Sequence, residues 1–573
     1  MFYLLKIKYF IGAFLIIIAW LFPFVRGPSR DLIQHFFYIS AICSAAILFG
    51  FNEKVNKKIL IVIFFAILFI LIVPIGYVNN KLFLIAGILF FWISCEIGAA
   101  LRVNQAALTA VIVAIFFSSI LNALEGLLQY FGLADALWPW IPSVEIRGQA
   151  IGALRQRNLL ATFLCCGVVS IVWLVQLKKF SMPFAWFSIL ILGFGIAATN
   201  SRIGAVEIIF LFILAFLLNS PDRKTVLKLF LGAVVIVGVA AILLPLVARW
   251  HGFGAMFLSD RFAELKDVAL NPRTLIWNNV IKLILIHPWV GWGWGELPYA
   301  HYLTLLAPRF NSEQEGLLSN AHNLILHLAV TLGIPATVFV IWLVSWVGCK
   351  TITSNNFFFK KTVKNNQNRS CFAIMILMVI GLHSMVEFPL WNPGFIFLVG
   401  LVTGFLAPSK LPLIDSSVAG RVVNYLTYGI AILLVVSCAL AWRDYTKMIN
   451  ITQISFGEKS SIKLSNINTA KSWLYEEYLD FAKLIAIKVD ASNALLVKQK
   501  AEKLLHFSPE PIVIEKLLSS LIYLDHQDEV LFHAERYCYS HPIAYCRWLH
   551  ENSVRLVSSV LFNLNKKCNR LNV

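Results

Sequence analysis

The chain has 573 residues, of which 59% are hydrophobic and 14% charged, and its formal net charge is +18. Soluble domains carry nearer a quarter charged residues, so this composition excludes an ordinary soluble globular protein. The excess of Lys and Arg does not indicate nucleic acid, because these residues cluster in short loops between apolar runs, where they orient a membrane protein and contact anionic lipid.

Apolar runs of about 17–25 residues recur along the chain, the length that crosses hydrocarbon as a helix. The first run, "YFIGAFLIIIAWLFPFV", precedes further spans and lacks a small-residue cleavage site, so we expect a retained helix and not a signal peptide. We predict an all-α, polytopic membrane protein of about thirteen transmembrane helices. The candidate spans are 9–25, 31–51, 59–75, 81–101, 106–131, 158–176, 182–199, 203–219, 229–248, 322–348, 371–390, 392–408 and 422–442.

The loops predict an orientation. Four basic loops, at 52–58, 178–179, 222–228 and 350–369, fall on one side if the N-terminus is cytoplasmic. The other side then receives the remaining polar segments, which are the motif loop 132–157, the turn 199–202, the long loop 249–321, the turn 383–392 and the tail. We therefore divide the chain into N-terminal transmembrane helices (1–248), a long outer loop (249–321), C-terminal transmembrane helices (322–442) and a helical soluble tail (443–573).

The tail differs in composition from the spans. Its stretch "SPEPIVIEKLLSSLIYLDHQDEVLFHAERYCYSHP" predicts two amphipathic helices joined by "DHQD". Pro509 and Pro542 lie 33 positions apart, close to the tetratricopeptide period of about 34 residues, so a small helical repeat and a plain helical tail both stay open. Cys538 and Cys546 could pair if the tail lies in an oxidising compartment.

Polar residues beside a span are costly and indicate function. At the start of one apolar run stand Arg155, Gln156, Arg157 and Asn158. Asn158 can cap a helix whose N-terminus attracts anions, and the two arginines would strengthen a phosphate site. Alternatively, the arginines bind lipid headgroups.

Two further outer segments carry arginine. Arg202 begins a span and Glu207 lies five residues deeper. The two side chains could pair, or Arg202 could instead face a cavity and hold a phosphate oxygen. The long loop contains Arg273 and the Gly-rich stretch "HPWVGWGWGELPYAHY". Its three tryptophans (Trp289, Trp292 and Trp294), together with tyrosine, predict a platform for sugar faces or an aromatic belt at the membrane interface.

Histidines supply the remaining candidates. His322 and Asn323 open a span, and a histidine at such a mouth can act as a general base near neutral pH. His383 and Glu387 are four residues apart and so share a helix face. One histidine and one carboxylate are too few ligands for a metal, and no D-x-D occurs in the outer loops.

These motifs, in this order, resemble the PglL-type protein O-oligosaccharyltransferases, relatives of the O-antigen ligases. The resemblance runs from about residue 120 to 408 through "GALRQRNLLAT", "SRIG", "RTLIW", "HPWVGWGWG", "AHNLIL" and "HSMVEFPLW". The helical tail also suits the PglL type better than the ligases. The chain departs from the common family pattern at Arg157 (usually Pro), Leu159 (often His) and Phe388 (usually Tyr), so no role of that tyrosine hydroxyl transfers.

The resemblance implies transfer of an oligosaccharide from undecaprenyl diphosphate to a Ser or Thr of a pilin or other secreted protein, at the periplasmic face of the bacterial inner membrane. His322 matches the family's essential histidine, Gln156 the glutamine of its first motif, and Arg202 and Arg273 arginines that act on the diphosphate. We expect the donor's diphosphate and glycan to contact further side chains, namely Arg155, Arg157, Asn158, Trp292, Trp294, Asn323, His383 and Glu387.

The residue chemistry agrees with this expectation. A diphosphate leaving group needs fixed positive charge, which arginine supplies without a metal, and an alcohol needs a base such as His322. We therefore expect metal-independent transfer with no cofactor and no nucleic-acid partner. The alternatives are an O-antigen ligase acting on lipid A–core, a related glycan polymerase, a lipid-linked glycan transporter and, least of all, a non-catalytic scaffold.

Overall fold

The computed structural model describes most of the chain in ten segments. These are residues 2–24, 32–51, 78–144, 146–218, 222–263, 272–304, 318–355, 370–407, 418–455 and 471–552, with the isolated residues 55–56, 66–67, 70, 220 and 413–414. The predicted span 59–75 lies almost entirely outside the described residues.

The chain divides into two compact units. The first combines Met1–Phe69, Leu84–Asp267 and Leu343–Leu440, and the second combines Ile70–Phe83, Val268–Trp342 and Ala441–Val573. The second unit thus joins part of the long loop to the tail, two regions that the sequence suggested as separate.

The first unit is a bundle of apolar helices. They are α1 (Phe2–Leu21), α2 (Leu32–Phe49), α3 (Val78–Val103), α4 (Gln105–Tyr130), α5 (Arg157–Gln176), α6 (Met182–Ala198), α7 (Arg202–Leu217), α8 (Arg223–Trp250) and the short α9 (Leu258–Ala263). Further helices are α13 (Ile334–Asn355), α14 (Ser370–Ser384), α15 (Pro393–Leu406) and α16 (Val418–Ser455), with 3₁₀ turns at Ala134–Leu137 and Pro389–Trp391; α3, α13 and α16 continue into the second unit. A two-residue antiparallel pair joins Val55–Asn56 to Leu413–Ile414.

Six of these helices are long and apolar enough to cross a membrane, namely Leu32–Phe49, Lys81–Val103, Gln105–Tyr130, Arg157–Gln176, Arg223–Trp250 and Arg421–Asn450. Shorter apolar helices occupy Ile7–Leu21, Met182–Ala198, Ile334–Trp346, Ser370–Ser384 and Pro393–Leu406. The predicted all-α, multi-pass membrane fold is confirmed, while the number thirteen stays a prediction.

Helix α5 lies at the centre of the first unit. Its side chains are buried almost all round, and Phe163 stacks on Trp20 of α1 at 3.7 Å between ring centroids. Because α5 is apolar on every face beyond its first two turns, it needs no polar surface and can be enclosed by other helices. This position makes the start of α5 a fixed point of the bundle.

Small residues bring α3 and α15 into close contact. A Cβ on Gly98 would lie 2.8 Å from the backbone nitrogen of Phe405, and one on Gly400 would lie 2.9 Å from the carbonyl oxygen of Phe91. A Cβ on Gly404 would collide with the carbonyl of Cys95. Such small-residue spacing lets membrane helices pack backbone to backbone.

The second unit contains the remaining helices. They are α10 (Pro272–Ile286), α11 (Leu297–Leu303), α12 (Leu324–Leu332), α17 (Glu476–Ala486), α18 (Ala494–Leu505), α19 (Pro511–Tyr523), α20 (Gln527–Ser540) and α21 (Pro542–Asn552). Tail helices α19 and α20 are the two amphipathic helices predicted from the sequence, which is confirmed.

Two sequence expectations are wrong in this unit. The single span predicted at 322–348 is two helices, because Gly333 ends α12 with a φ of 84° and Pro335 lies in the first turn of α13. The suggested Cys538–Cys546 pair does not form, since Cys538 is disulfide-bonded and Cys546 is outside that bond. Cys538 lies buried on α20 whereas Cys546 is exposed on α21.

Candidate functional site

Two helices of the first unit begin in the same way. Gln156 caps α5 by accepting a hydrogen bond from the backbone N–H of Leu159 at 2.9 Å, and Ser201 caps α7 by accepting one from Gly204 at 3.3 Å. The residues before these caps, Arg155 and Asn200, are left-handed, with φ of 57° and 50°. Non-glycine residues rarely adopt this conformation, and its cost concentrates at functional sites.

The two helix N-termini are joined by side chains. The Ser201 hydroxyl donates to Asn158 Oδ1 at 2.7 Å, and Asn158 Nδ2 donates to Glu387 Oε1 at 3.0 Å. All three side chains are buried. The backbone N–H groups that open α5 and α7 are therefore held together in one region of the first unit.

Each of these helices carries an arginine as its first residue, Arg157 on α5 and Arg202 on α7, and neither helix has an acidic residue in its first turn. A cation there opposes the positive end of the helix dipole. Helix α8 also begins with an arginine, Arg223, but its cap Asp222 supplies a negative charge. At the start of α5 the Glu387 carboxylate lies against Asn158, and the free N–H groups of a helix N-terminus also bind anions.

Arg155 and Arg202 each donate a hydrogen bond to a backbone carbonyl. Arg155 Nη2 donates to the carbonyl of Pro23 at 2.9 Å, beyond the end of α1, and Arg202 Nη1 donates to the carbonyl of Arg261 at 3.1 Å. Arg155 thereby fixes the motif loop to α1, a contact that its predicted phosphate role did not foresee.

A second polar group lies one turn deeper. Thr162 Oγ1 is 2.8 Å from Glu207 Oε1 and 2.6 Å from His383 Nδ1, and all three side chains have no exposed surface. Glu207 Oε1 accepts a hydrogen bond from Thr162, and Arg202 Nη1 binds the Arg261 carbonyl.

His383 and Glu387 bind side chains of α5. His383 contacts Thr162, and Glu387 contacts Asn158. The two residues on each side are four positions apart in the sequence, so one turn of chain at 383–387 lies against one turn of α5. Helix α14 ends at Ser384, and Glu387 continues the turn through its backbone N–H, which donates to the His383 carbonyl at 2.9 Å. The side chains of His383 and Glu387 are 0% and 5% exposed, and their contact with the donor stays a prediction.

In the second unit, His322 occupies a third left-handed position, with φ of 49°. Its N–H donates to Asn320 Oδ1 at 2.8 Å, and the next residue, Asn323, caps α12 by accepting from Leu326 at 3.0 Å. The half-buried His322 thus precedes a capped helix as Arg155 and Asn200 do.

Neighbouring side chains fix the His322 loop. The carbonyl of Ala321 accepts from Trp277 Nε1 at 3.1 Å, and its N–H donates to the buried His327 Nδ1 at 3.4 Å. Trp277 lies on α10 one turn after Arg273, so the two share a helix face. The second unit therefore holds Arg273 and His322 on one connected framework.

The tryptophans of the predicted sugar platform differ in exposure. Trp292 Nε1 donates to the carbonyl of Leu283 at 3.0 Å, and Trp294 packs edge-on against His327 with 5.5 Å between centroids. Both indoles are half-buried, whereas Trp289, the third tryptophan of the platform, is 76% exposed.

The structure gathers the predicted residues into two groups, each within its own unit. Gln156, Arg157, Asn158 and Arg202 lie in the first, and Arg273, His322 and Asn323 lie in the second. The sequence missed Thr162 and Ser201, although a serine directly before a helix start is a capping signal. Among the described residues, no group of three or more His, Cys, Asp or Glu could hold a metal ion.

Comparisons with known proteins give matches along most of the chain. Residues 150–175 match the family model "Protein glycosylation ligase", residues 186–341 match "O-Antigen ligase", and residues 371–553 match "Virulence factor membrane-bound polymerase, C-terminal". A curated protein of Acinetobacter baylyi, named a general O-oligosaccharyltransferase, is 22% identical over 566 residues, covering 95% of this chain and 92% of that protein. These matches confirm the resemblance predicted from the motifs.

Proposed function

We propose that this chain, a multi-pass membrane protein similar to the O-antigen ligases and the protein glycosylation ligases, is an O-oligosaccharyltransferase. It is a glycosyltransferase that moves an oligosaccharide from a lipid-linked donor to a hydroxyl of a protein acceptor. The similarity to a general O-oligosaccharyltransferase over nearly the whole chain supports this reaction.

One observation carries the chemical part of the proposal. The N-termini of α5 and α7 are bonded together through Asn158 and Ser201, and each helix begins with an arginine. The N–H groups of a helix N-terminus and the guanidinium group of arginine both bind phosphate oxygens. We therefore assign Arg157 and Arg202 to the polyprenyl diphosphate of the donor, and for Arg273 the same assignment rests on the family resemblance alone.

The remaining residues take the acceptor side of the reaction. The acceptor oxygen attacks the anomeric carbon, the bond from that carbon to the diphosphate breaks, and the hydroxyl proton passes to the His322 imidazole. Gln156 uses its side-chain oxygen to cap α5, which leaves its amide N–H groups to donate to a sugar or phosphate oxygen. Gln156 is thus a hydrogen-bond donor and His322 the base.

The location follows from charge and cysteine chemistry. The basic loops predict an N-terminus in the cytoplasm and an active site in the periplasm of a bacterial inner membrane. The disulfide of Cys538 in the tail supports an oxidising compartment. A pilin or another secreted protein is the acceptor we propose.

The test is reconstitution. The purified protein is incubated with undecaprenyl diphosphate-linked oligosaccharide and a candidate pilin, with and without EDTA, and the acceptor is weighed by intact-protein mass spectrometry. We expect a mass increase equal to the glycan, unchanged by EDTA, and its loss in His322→Ala. His251→Ala, which alters an exposed histidine at the end of α8, is the matched control. Normal glycosylation by His322→Ala would contradict the assigned role.

An O-antigen ligase remains the second candidate, because residues 186–341 match that family. It would use the same donor and a sugar of lipid A–core as acceptor. The same assay with lipid A–core in place of pilin separates the two, since only the acceptor differs. A transporter would leave both acceptors at their original mass.

A further inference from the structure

The exposed face of α10 changes character along the helix. Asn278 and Lys282 are exposed along the helix, whereas its last turn and the turn that follows present mostly large apolar side chains, with the exposed His287 among them. These are Ile281 (45% exposed), Leu285 (70%), Ile286 (49%), Trp289 (76%) and Val290 (75%). An apolar patch bordered by polar residues such as Lys282 marks a surface that another phase or molecule covers.

The turn after α10 is fixed to the break between α12 and α13. The N–H of Ile334 donates to the carbonyl of Pro288 at 2.8 Å, and the N–H of Trp292 donates to the carbonyl of Val330 at 2.8 Å. Gly291 and Gly333 allow this approach. A Cβ on Gly291 would clash with the backbone of Thr331, and a Cβ on Gly333 would clash with the backbone of Trp289. The patch is therefore rigidly held beside the start of α13.

Helix α13 continues the same apolar surface. Its exposed side chains within the second unit are Ile334 (44%), Val338 (58%), Phe339 (58%), Ile341 (39%) and Trp342 (56%). Its residues Ile334–Trp346 form one of the shorter apolar helices of the chain, and an exposed apolar face of this kind suits contact with lipid. The patch is also composed of large apolar side chains, and its Pro288 carbonyl is hydrogen-bonded to Ile334, the first residue of α13.

We propose that the segment 285–290 is a membrane anchor that inserts its apolar side chains into the lipid bilayer beside α13. The occupant is lipid, since the patch is bonded to the start of the apolar helix α13 and Trp289 is the kind of side chain that favours the interface. The anchor would attach α10, which carries Arg273, to the bilayer. Because Trp277 of α10 binds the Ala321 carbonyl, the anchor would also position the His322 loop. A soluble glycan or a protein partner would be the alternative occupant.

A fluorescent amino acid placed by amber suppression at position 289 tests this in nanodiscs. We expect several-fold stronger quenching by doxyl-labelled lipid than by iodide. The same label at position 495, where Leu495 is 59% exposed on tail helix α18, is the control and should respond mainly to iodide. Neither measurement needs enzyme activity, so the result is independent of the proposed function.

Two outcomes would overturn the anchor. The first is a label at position 289 that iodide quenches as strongly as it quenches the label at position 495. The second is protection of position 289 from iodide only when free oligosaccharide is added, which would make the patch a glycan platform. A variant with Trp289→Ser and Val290→Ser should transfer glycan more slowly in proteoliposomes and normally in detergent micelles.

Discussion

Replacing Arg157 by glutamine should change donor binding and stability in opposite directions. A cation in the first turn costs about 0.3–1 kcal/mol against the helix dipole, so its removal stabilises the free protein by up to that amount. A charge-assisted hydrogen bond to phosphate contributes about 1.5–3 kcal/mol. Its loss raises the donor KM by about 10-fold to about 150-fold.

The structure also permits Arg157→Pro, the residue common in related proteins. Proline is favoured as the first residue of a helix, and Gln156 before it is extended, with φ of −143° and ψ of 123°. Both variants remove the charge and keep the start of α5. We therefore expect similar donor KM values for the two.

The assay measures initial rates of transfer against donor concentration, with thermal unfolding in the same detergent. Arg223→Gln is the control, because Arg223 also opens a helix but has Asp222 beside it as the cap; its donor KM should not change. A lower melting temperature for Arg157→Gln together with an unchanged donor KM would refute the anion site and assign Arg157 to the fold.

Three further predictions follow from contacts in the two units. Gly98→Ala should lower the melting temperature, because its Cβ meets the backbone of α15, while Gly87→Ala on the same helix meets no atom within 4 Å and serves as its control. Burial lowers the pKa of His301 and His533 to about 4. The free energy of unfolding of the full chain should therefore fall as the pH drops from about 6.5 towards 4, because the unfolded state takes up the protons first. Thermal unfolding at pH 7 and pH 5 measures this fall, and a fall in His533→Gln as large as in the unmodified protein would contradict it. Thr162→Val should cost about 1–3 kcal/mol of stability, since it leaves the two buried side chains that the hydroxyl joins without that partner; chemical unfolding that matches the unmodified protein would show that the network is dispensable.

The sequence predicted the membrane fold because hydrocarbon imposes length and composition on each span, as at 158–176 and 229–248. It also identified Asn158 and His322, since polar residues beside apolar runs are conspicuous. It did not identify Thr162 or Ser201, which are small, uncharged and common in helices. The partial burial of Trp292 could not be predicted, because it depends on packing against Leu283 and His287, which local sequence does not encode.

The capping role of Gln156 affects how any mutational scan of this chain is interpreted. An alanine at that position removes the acceptor for the Leu159 N–H along with the amide donors, so lost turnover would combine a frayed helix start with missing chemistry. Asparagine is the informative replacement, because it is among the preferred capping residues and its shorter amide retracts from the substrate. Comparing the two replacements separates scaffolding from catalysis at a single site.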